Sequence, residues 1–292
     1  MGAVHPDFFV VGAPKSATTA LYTIFRKHPE VFLTKVKELH HFSWPEVDNN
    51  YYNAKIVKNR DEYEKLFSSC PDELVAGDFS PSYLYCEKSA ERIFDYNPQA
   101  RIIMILREPV SRAISHYKMD LRFGIHNSPM IDLIDNSEEN RLYYKEYIHL
   151  GLYASQIRRF LDWFPREQVL ILLYEEIRDS LEIQISRVCN HIGVSDDFNY
   201  AKGRRNLGFV PKNRTVGRLL SSNIATRISP MIPPLVSRKI IGLISKKGDL
   251  GIDEKIISVL TEKFVDDASL LSTEFGLDLG IWGENYQNGT VE

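Results

Sequence analysis

Short apolar runs alternate with amphipathic segments along most of the chain. The runs at 7–12, Arg101–Leu106 and 168–174 are rich in Val, Ile, Leu and Phe, and 31–34 and Val75–Phe79 are shorter runs of similar character. Runs of this length with β-branched and aromatic residues are typical of strands that are buried on both faces. The pattern therefore predicts several buried strands spread over the chain.

Segments with helical spacing separate these strands. Leu21 and Phe25 lie on the apolar face of a predicted helix over 17–28, which ends before Pro29 because a residue that precedes proline is pushed out of the α region. Further helices are predicted over 88–96, 109–117, 177–191 and 253–275, and 139–163 is predicted to be a longer helical region. Strands that alternate with helices form βαβ units, so we predict an α/β fold in three layers, with a central, mainly parallel sheet flanked by helices.

The composition is that of an ordinary globular protein. Of 292 residues, 43% are hydrophobic and 11% aromatic, which is enough to form a large core and excludes a disordered or fibrous chain. We find no internal repeat and no low-complexity linker. The expectation is one domain over 1–292.

Cysteine usage and the chain start bear on the cellular compartment. Cys70, Cys86 and Cys189 form no C-x-x-C pair and no metal spacing with histidine, which favours ordinary thiols in a reducing compartment. The first residues lack the basic and apolar regions of a signal peptide, and no apolar stretch is long enough to span a bilayer. These features predict a cytoplasmic location.

Basic residues are concentrated in one segment. Residues 201–248 hold eleven of the 36 Lys and Arg residues and no Asp or Glu, so the rest of the chain has 25 basic residues against 39 acidic ones. An unmixed positive segment attracts an anion, whereas the negative remainder would repel a nucleic-acid backbone. The charge pattern therefore predicts a compact anionic ligand and no nucleic-acid partner.

The first predicted strand is followed by a loop that suits a phosphate. Gly12 ends the strand, and residues 13–19 have the sequence APKSATT. A strand, a short loop and a helix in succession aim backbone N–H groups and the positive helix end at an anion. The nucleoside-triphosphate pattern G-x-x-x-x-G-K-[ST] fails, because its second glycine falls on Ala17 and its lysine on Thr18, while the lysine present is Lys15. We predict a phosphate site in a P-loop-like fold; the alternative is a turn with incidental capping.

A second anion site is predicted after the strand Arg101–Leu106. Arg107 leaves the carboxyl end of this strand, where open α/β sheets bind ligands. Ser111 and Ser115 share one face of the following helix, and Arg107 together with Ser115 suits a second phosphate. The alternative is a surface pairing of Arg107 with Glu108.

These motifs resemble those of a known family. Residues 8–19, FFVVGAPKSATT, resemble the 5′-phosphosulfate loop of sulfotransferases that use 3′-phosphoadenosine 5′-phosphosulfate as donor. Residues 106–115, LREPVSRAIS, are similar to their 3′-phosphate site, and residues 201–205, AKGRR, to their basic glycine loop. Segments similar to the heparan-sulfate-like and bacterial branch of this family lie at 77–83, 151–165 and 169–176.

The resemblance implies an enzyme that transfers a sulfuryl group by in-line displacement and releases adenosine 3′,5′-bisphosphate without a metal. Lys15 is then the residue at the bridging oxygen, where negative charge develops on the leaving group. The donor contacts implied by the resemblance are Lys15, Ser16, Ala17, Thr18, Thr19, Arg107, Ser115, Lys202, Gly203 and Arg204.

A candidate base lies after the run at 31–34. Residues 37–42, KELHHF, resemble the glutamate-x-histidine stretch of the family, in which the glutamate is the base. Glu38 is the predicted base, and His40 is the second candidate because it lies on the same side of an extended chain and titrates nearer neutrality. His41 is predicted to be a packed surface residue, and no third ligand at suitable spacing supports a metal site.

The acceptor is predicted only by class. The candidate acceptor contacts are Glu38, His40, Phe79, Ser82, Tyr83 and Tyr153. Several glycan-modifying relatives have a lysine where this chain has Phe79, and an apolar ring in a negatively charged body disfavours a polyanionic polysaccharide. We therefore expect a hydroxyl or amine on a small molecule, a lipid or a carbohydrate.

Two other functions remain open from the sequence. One is a P-loop nucleotide kinase, which would require magnesium and ATP. The other is a membrane-surface nucleotide-binding module that uses the basic and apolar segment 218–244. The same composition suits a lid over an apolar acceptor pocket, with bounds 218–248, and we favour the lid over membrane contact.

Overall fold

The computed structural model describes residues 5–47, 55–200, 252–283 and 286. They belong to two compact units. The first unit takes the described residues within Met1–Pro109, Leu152–Gly203 and Val265–Glu292, and the second takes those within Val110–Gly151 and Arg204–Phe264. The candidate lid at 218–248 lies outside the described residues, and one domain over 1–292 stays a prediction.

A five-stranded parallel sheet forms the centre of the first unit. Its strands are β1 (Phe8–Gly12), β2 (Val31–Leu33), β3 (Val75–Phe79), β4 (Arg101–Leu106) and β5 (Val169–Leu173). The spatial order is β2-β3-β1-β4-β5, and every neighbouring pair is parallel. The predicted strands and the predicted parallel sheet are confirmed.

Nine α-helices are found among the described residues, along with short 3₁₀ turns. They are α1 (Thr18–Phe25), α2 (Arg60–Lys65), α3 (Ser89–Tyr96), α4 (Pro109–Phe123), α5 (Arg141–Tyr147), α6 (Tyr153–Leu161), α7 (Tyr174–Asp179), α8 (Leu181–Ile192) and α9 (Glu254–Phe275). Pro109 begins α4, as its missing N–H allows at a first helical position. The α/β fold class is therefore confirmed.

Two predicted helical segments are divided in the structure. The helical region 139–163 contains α5 and α6, which are separated by a 3₁₀ turn between Tyr147 and Tyr153. The segment 177–191 is divided at Ser180, whose φ of −139° and ψ of 54° lie outside the helical region. The first of its two helices begins directly at the end of β5.

Alternate residues of β1 pack on opposite faces of the sheet. Phe8 and Val10 belong to a core cluster with Ile24 of α1 and Val188 of α8, and all four are at most 4% exposed. Phe9 points to the other face, where its ring packs edge-on against Phe42 with centroids 5.6 Å apart. A buried side chain of this size stabilises the fold by roughly 1.5–3 kcal/mol, so β1 is held firmly from both sides.

A glycine in β3 makes room for one of these rings. Phe8 lies opposite Gly77 in the parallel register. A Cβ at Gly77 would be 2.2 Å from the tip of the Phe8 ring, so a larger residue does not fit beside it. The central strand can therefore pack its aromatic side chain across its neighbour.

The strand order determines where the loops gather. The chain leaves β1 toward β2 and β3 on one side of the sheet and later reaches β4 and β5 on the other. In open parallel sheets such a reversal of order opens a crevice at the carboxyl ends of the strands. The loops after all five strands lie at this carboxyl edge.

In the second unit, helix α4 is anchored by a buried arginine. Arg112 is fully buried and donates hydrogen bonds from Nη2 to the carbonyl oxygens of Glu146 (2.9 Å) and Tyr147 (2.5 Å). These bonds give the buried guanidinium two carbonyl acceptors inside the unit, which reduces the cost of burying it. They hold the helix that carries Ser115.

Candidate active site

The loop between β1 and α1 forms a concavity of backbone N–H groups. Lys15 has a φ of 72° and Ala17 a φ of 66°, whereas Ser16 between them is not among the residues with positive φ, so the sign of φ alternates here. Such alternation turns successive N–H groups toward one point and creates an anion-binding nest. Ala17 is the N-cap residue and has no side-chain oxygen to cap α1, whose first N–H groups have no carbonyl partner within the helix. The loop therefore offers several donors to an anion.

A buried hydroxyl in this loop has no protein partner. Ser16 is fully buried, and its Oγ makes no hydrogen bond in the described structure. An unpartnered buried hydroxyl costs roughly 1–3 kcal/mol, which a bound acceptor oxygen would recover. Ser16 thus fits a phosphate oxygen held at the nest.

Arg107 connects the loop after β4 to the loop after β1. Its Nη1 donates to the carbonyl oxygen of Lys15 at 3.0 Å, and its guanidinium lies 4.5 Å from the centroid of the Tyr174 ring. Its Nε is buried without a hydrogen-bond partner. One N–H of a fixed guanidinium is therefore left for an anion at the carboxyl edge.

The backbone of Arg107 is itself held by a buried tyrosine. The Tyr153 hydroxyl donates to the Arg107 carbonyl oxygen at 2.9 Å, and Tyr153 is the first residue of α6. The carboxylate of Asp267 accepts the N–H groups of Tyr153 (2.6 Å) and Ala154 (3.1 Å). Burial raises the pKa of Asp267 to about 6, although the two backbone N–H groups act in the opposite direction. Asp267 thus caps α6 from a distant part of the chain.

We expect the Asp267→Ala variant to lose stability. Removing a helix cap costs about 1 kcal/mol, and the N–H groups of Tyr153 and Ala154 lose their acceptor. Thermal or urea unfolding measures the loss. Asp266→Ala is the matched control, because Asp266 is the exposed neighbour on the same helix. Equal stability of the two variants would show that the cap contributes nothing.

The loop after β2 places Glu38 beside the phosphate loop. The Glu38 N–H donates to the Phe79 carbonyl oxygen at 3.0 Å, and Glu38 has a φ of 64°. Lys37 forms an ion pair with the Glu38 carboxylate, and its Nζ also donates to Thr18 Oγ1 at 3.4 Å. The Glu38 side chain is 44% exposed, so it is accessible from solvent. Lys37 therefore contacts both the candidate base and the first residue of α1. The sequence analysis did not predict a role for Lys37.

His40 lies next to Glu38 in a more buried setting. Its Nε2 is 3.9 Å from Glu38 Oε2, and its Nδ1 is 2.7 Å from Ser82 Oγ. Burial lowers the pKa of His40; Glu38 opposes this shift and Lys37 adds to it. His40 is therefore neutral around neutral pH. The predicted pair of Glu38 and His40 is brought together by the structure.

A buried carboxylate is connected to the Glu38–His40 pair through a serine hydroxyl. Asp78 of β3 accepts hydrogen bonds from the hydroxyls of Tyr63 (2.9 Å), Tyr83 (2.7 Å) and Ser80 (2.8 Å). Burial raises the pKa of Asp78, and the three hydroxyl donors act against that shift. Ser80 Oγ also accepts the N–H of His40 at 3.3 Å. The sequence analysis did not identify Asp78. An aspartate within a predicted buried strand could have indicated a buried carboxylate with hydrogen-bond partners, because charged residues are rarely buried alone.

The phosphate loop and the β1–β5 sheet match a known family model. The description of that model is "Sulfotransferase domain", and it matches residues 5–202 of this chain, which is more than half of it. This chain belongs to the sulfotransferase domain family. The family predicted from the motifs is confirmed.

Relatives of this sulfotransferase domain are distant in sequence. It is 22% identical to the membrane-associated sulfotransferase kil1 of Dictyostelium discoideum, over 72% of this chain and 61% of kil1. It is 29% identical to bifunctional heparan sulfate N-deacetylase/N-sulfotransferase 3 of Homo sapiens, over 68% of this chain and 23% of that protein. The chain thus spans less than two thirds of the length of either relative.

A solved bacterial structure is similar in fold to this sulfotransferase domain. The crystal structure of a sulfotransferase from Alicyclobacillus acidocaldarius superposes with a TM-score of 0.71 at 26% identity. The match covers 96% of this chain and 99% of that structure. The P-loop-like α/β fold is therefore shared with a sulfotransferase.

The predicted acceptor contacts of the sulfotransferase domain have partners inside the protein. Phe79 is 3% exposed, and its ring packs edge-on against Tyr22 with centroids 5.5 Å apart. Ser82, Tyr83 and Tyr153 are also buried and hydrogen-bonded to His40, Asp78 and Arg107 respectively. Their contact with an acceptor stays a prediction.

The remaining predicted donor contacts are less informative. Ser115 is a half-buried residue of α4 in the second unit, and its pairing with Arg107 on a phosphate stays a prediction. Thr19 is exposed in the first turn of α1. Lys202, Gly203 and Arg204 lie outside the described residues.

Other predicted features of the sulfotransferase domain were also located. His41 packs against Tyr63, with nearly parallel rings 4.4 Å apart. Among the residues with described placement, no group of three or more His, Cys, Asp or Glu side chains is arranged to hold a metal. None of the helices described above is both long enough and apolar enough to cross a membrane. Cys70, Cys86 and Cys189 are buried, and none of these three described cysteines is part of a disulfide bond.

Proposed function

We propose that this chain transfers a sulfuryl group from 3′-phosphoadenosine 5′-phosphosulfate to a hydroxyl or amine of a small-molecule, lipid or carbohydrate acceptor. The observation that supports this most is a pair of unpartnered buried donors, Ser16 Oγ and Arg107 Nε, on two loops of the carboxyl edge. They lie in the two motifs that the family uses for the two phosphates of this donor. A nucleotide with separate phosphates satisfies both.

The residues present fit such a donor. It would supply the sulfuryl group when bound. The nest of Lys15 to Thr18 and the Ser16 hydroxyl would hold the 5′-phosphate, and Arg107 would hold the 3′-phosphate together with Ser115 and the basic loop at Lys202, Gly203 and Arg204. The Lys15 ammonium would neutralise charge that develops on the leaving group, which requires no metal.

The acceptor needs a group that takes its proton. Glu38 suits this task because its carboxylate is accessible and is held by Lys37 close to Thr18. His40 is the second candidate, since its neutral ring lies 3.9 Å from that carboxylate. The two side chains are therefore proposed as the acid–base machinery.

Binding of adenosine 3′,5′-bisphosphate tests the donor site directly. Isothermal calorimetry should detect one site in the wild-type protein. The Arg107→Gln variant should bind about 10- to 100-fold more weakly, because a hydrogen bond from a charged donor contributes about 1.5–3 kcal/mol. Arg101→Gln is the matched control, since Arg101 is an exposed arginine at the opposite end of the same strand. Equal affinity of both variants would overturn the role of Arg107.

Transfer itself is tested by an acceptor screen with the sulfuryl donor. A product heavier by one sulfuryl group is the expected result. A parallel incubation with ATP and magnesium tests the kinase alternative, which the displaced lysine of the loop and the family membership disfavour. Phosphorylated product without sulfated product would overturn the proposal.

The acceptor class and the cellular location of the protein are part of the proposal. One relative carries heparan sulfate in its name, whereas for this chain we propose only a hydroxyl or amine acceptor on a small molecule, a lipid or a carbohydrate. We retain a cytoplasmic location as the proposal. Liposome co-sedimentation tests membrane contact, and binding to anionic vesicles would favour the membrane-surface alternative.

A further inference from the structure

Two buried serine hydroxyls form a chain that ends on the His40 ring. Ser82 Oγ is 2.7 Å from His40 Nδ1, and Ser43 Oγ is 2.7 Å from Ser82 Oγ. Ser43 Oγ also donates to the carbonyl oxygen of His40 at 3.1 Å. Ser43 is fully buried and Ser82 is 3% exposed. The three contacts form a closed loop that runs from the His40 ring through Ser82 and Ser43 back to the His40 carbonyl oxygen.

Counting hydrogens assigns a direction to this loop. Each serine hydroxyl has a single hydrogen to donate. If Ser43 donates to the His40 carbonyl, Ser82 must donate to Ser43, and His40 Nδ1 must donate to Ser82. This direction makes all three hydrogen bonds. The opposite direction makes one hydrogen bond fewer, because the Ser43 hydroxyl then no longer donates to the His40 carbonyl oxygen, which keeps the backbone N–H groups of Ser43 and Trp44 as donors.

The other ring nitrogen, Nε2, has no hydrogen bond to Glu38 that would favour the opposite tautomer. His40 Nε2 is 3.9 Å from Glu38 Oε2, which is too long for a hydrogen bond that would require a hydrogen on Nε2. A neutral imidazole carries one N–H hydrogen. A hydrogen on Nδ1 therefore leaves Nε2 with an open lone pair on the side of Glu38.

We infer that Ser43 and Ser82 are positioning residues that hold neutral His40 in the tautomer with a hydrogen on Nδ1, so that Nε2 serves as a proton acceptor for Glu38. The proton transfer requires the two side chains to approach from 3.9 Å to hydrogen-bond distance, where the Oε2–H bond of protonated Glu38 breaks and an Nε2–H bond forms. Glu38 returns to its carboxylate form and His40 becomes an imidazolium. The opposite tautomer would present an N–H to Glu38 and would accept no proton there. The catalytic consequence rests on the proposed function, whereas the tautomer does not.

Nitrogen NMR of the protein labelled with ¹⁵N-histidine tests the tautomer without donor or acceptor. The His40 signals are assigned by their loss in His40→Gln. At neutral pH the wild-type spectrum should show a protonated Nδ1 and an unprotonated Nε2. In Ser43→Ala, Ser82 loses its acceptor and its hydrogen turns to Nδ1, so the ring hydrogen should move to Nε2.

Ser80→Ala is the matched control. Ser80 is also a buried serine next to His40, but it contacts the backbone N–H and not the ring. Its variant should keep the wild-type tautomer. A protonated Nε2 in the wild-type protein would overturn the inference, and so would an unchanged tautomer in Ser43→Ala. If the other histidine signals show that Ser43→Ala does not fold, the tautomer of His40 in the wild-type protein decides whether the inference holds.

Kinetics test the consequence for catalysis. Ser43→Ala should lower kcat by about 10- to 100-fold while the KM for the acceptor changes little, because a base in the wrong tautomer cannot take the proton. Normal kcat with a changed tautomer would overturn the role of His40 as proton acceptor. A wild-type protein without any transferase activity would instead count against the proposed function and would leave the NMR result intact.

Discussion

The Lys15→Ala variant should lose about 10²- to 10³-fold in kcat of sulfuryl transfer. Lys15 follows Gly12 by three residues and is one of the two left-handed residues of the loop that forms the anion nest. An ammonium group there acts on charge that develops only as the leaving group departs, so its loss affects the rate more than ground-state binding. Single-turnover kinetics with saturating donor measure this loss, and calorimetry with adenosine 3′,5′-bisphosphate measures binding.

Lys27→Ala serves as the control for Lys15→Ala. Lys27 is exposed just beyond the end of α1, so its substitution removes the same charge from the same strand–loop–helix unit without touching the loop. We expect wild-type kcat for this variant. If Lys15→Ala changed only the KM for the acceptor, Lys15 would be an acceptor contact and its leaving-group role would be wrong.

The Glu38→Gln variant should lose about 10²- to 10⁴-fold in kcat, which is the range for a positioned general base. The amide has nearly the shape of the carboxylate but takes no proton from the acceptor. Donor binding should be unchanged, because no described contact joins Glu38 directly to Ser16 or Arg107. The measurements are steady-state turnover and calorimetry with the bisphosphate product.

Two comparisons make the Glu38 result decisive. Glu73→Gln removes the charge of an exposed glutamate outside the candidate site and should leave kcat unchanged. His40→Gln should lower kcat as well, because the imidazole is the proposed second member of the pair. Full turnover in Glu38→Gln together with an inactive His40→Gln would transfer the role of base to His40.

Local patterns predicted the frame of the fold well. The strands Val75–Phe79 and Arg101–Leu106 were predicted with the bounds that the structure shows, because each is a run of buried residues set off from its surroundings. The continuity of the helices was harder to predict. The break before Tyr153 depends on Asp267, which lies more than one hundred residues away in the sequence. Periodicity within one segment contains no information about such a cap.

In the candidate site, too, residues of short motifs were predicted, whereas residues that act through contacts between distant segments were not. Lys15, Ser16 and Arg107 were found from short motifs, since phosphate binding needs particular residues at fixed spacing after a strand. Lys37, Asp78 and Ser43 were missed because their roles arise from contacts between different loops. Glu38 and His40 were chosen from a short motif, but nothing in that motif indicated a hydroxyl chain on the ring.

The family, the alternation of strands and helices and the phosphate loop could be predicted without a structure, because these features depend on residues that are neighbours along the chain. The contact between Ser82 and the ring of His40, across 42 positions of sequence, became visible only in the folded protein, where the loops after β2 and β3 meet. The parallel sheet is the cause of this meeting. Its pairing of β2 with β3 brings their carboxyl ends to one edge, and the partners of a side chain at that edge come from whichever strand lies beside it.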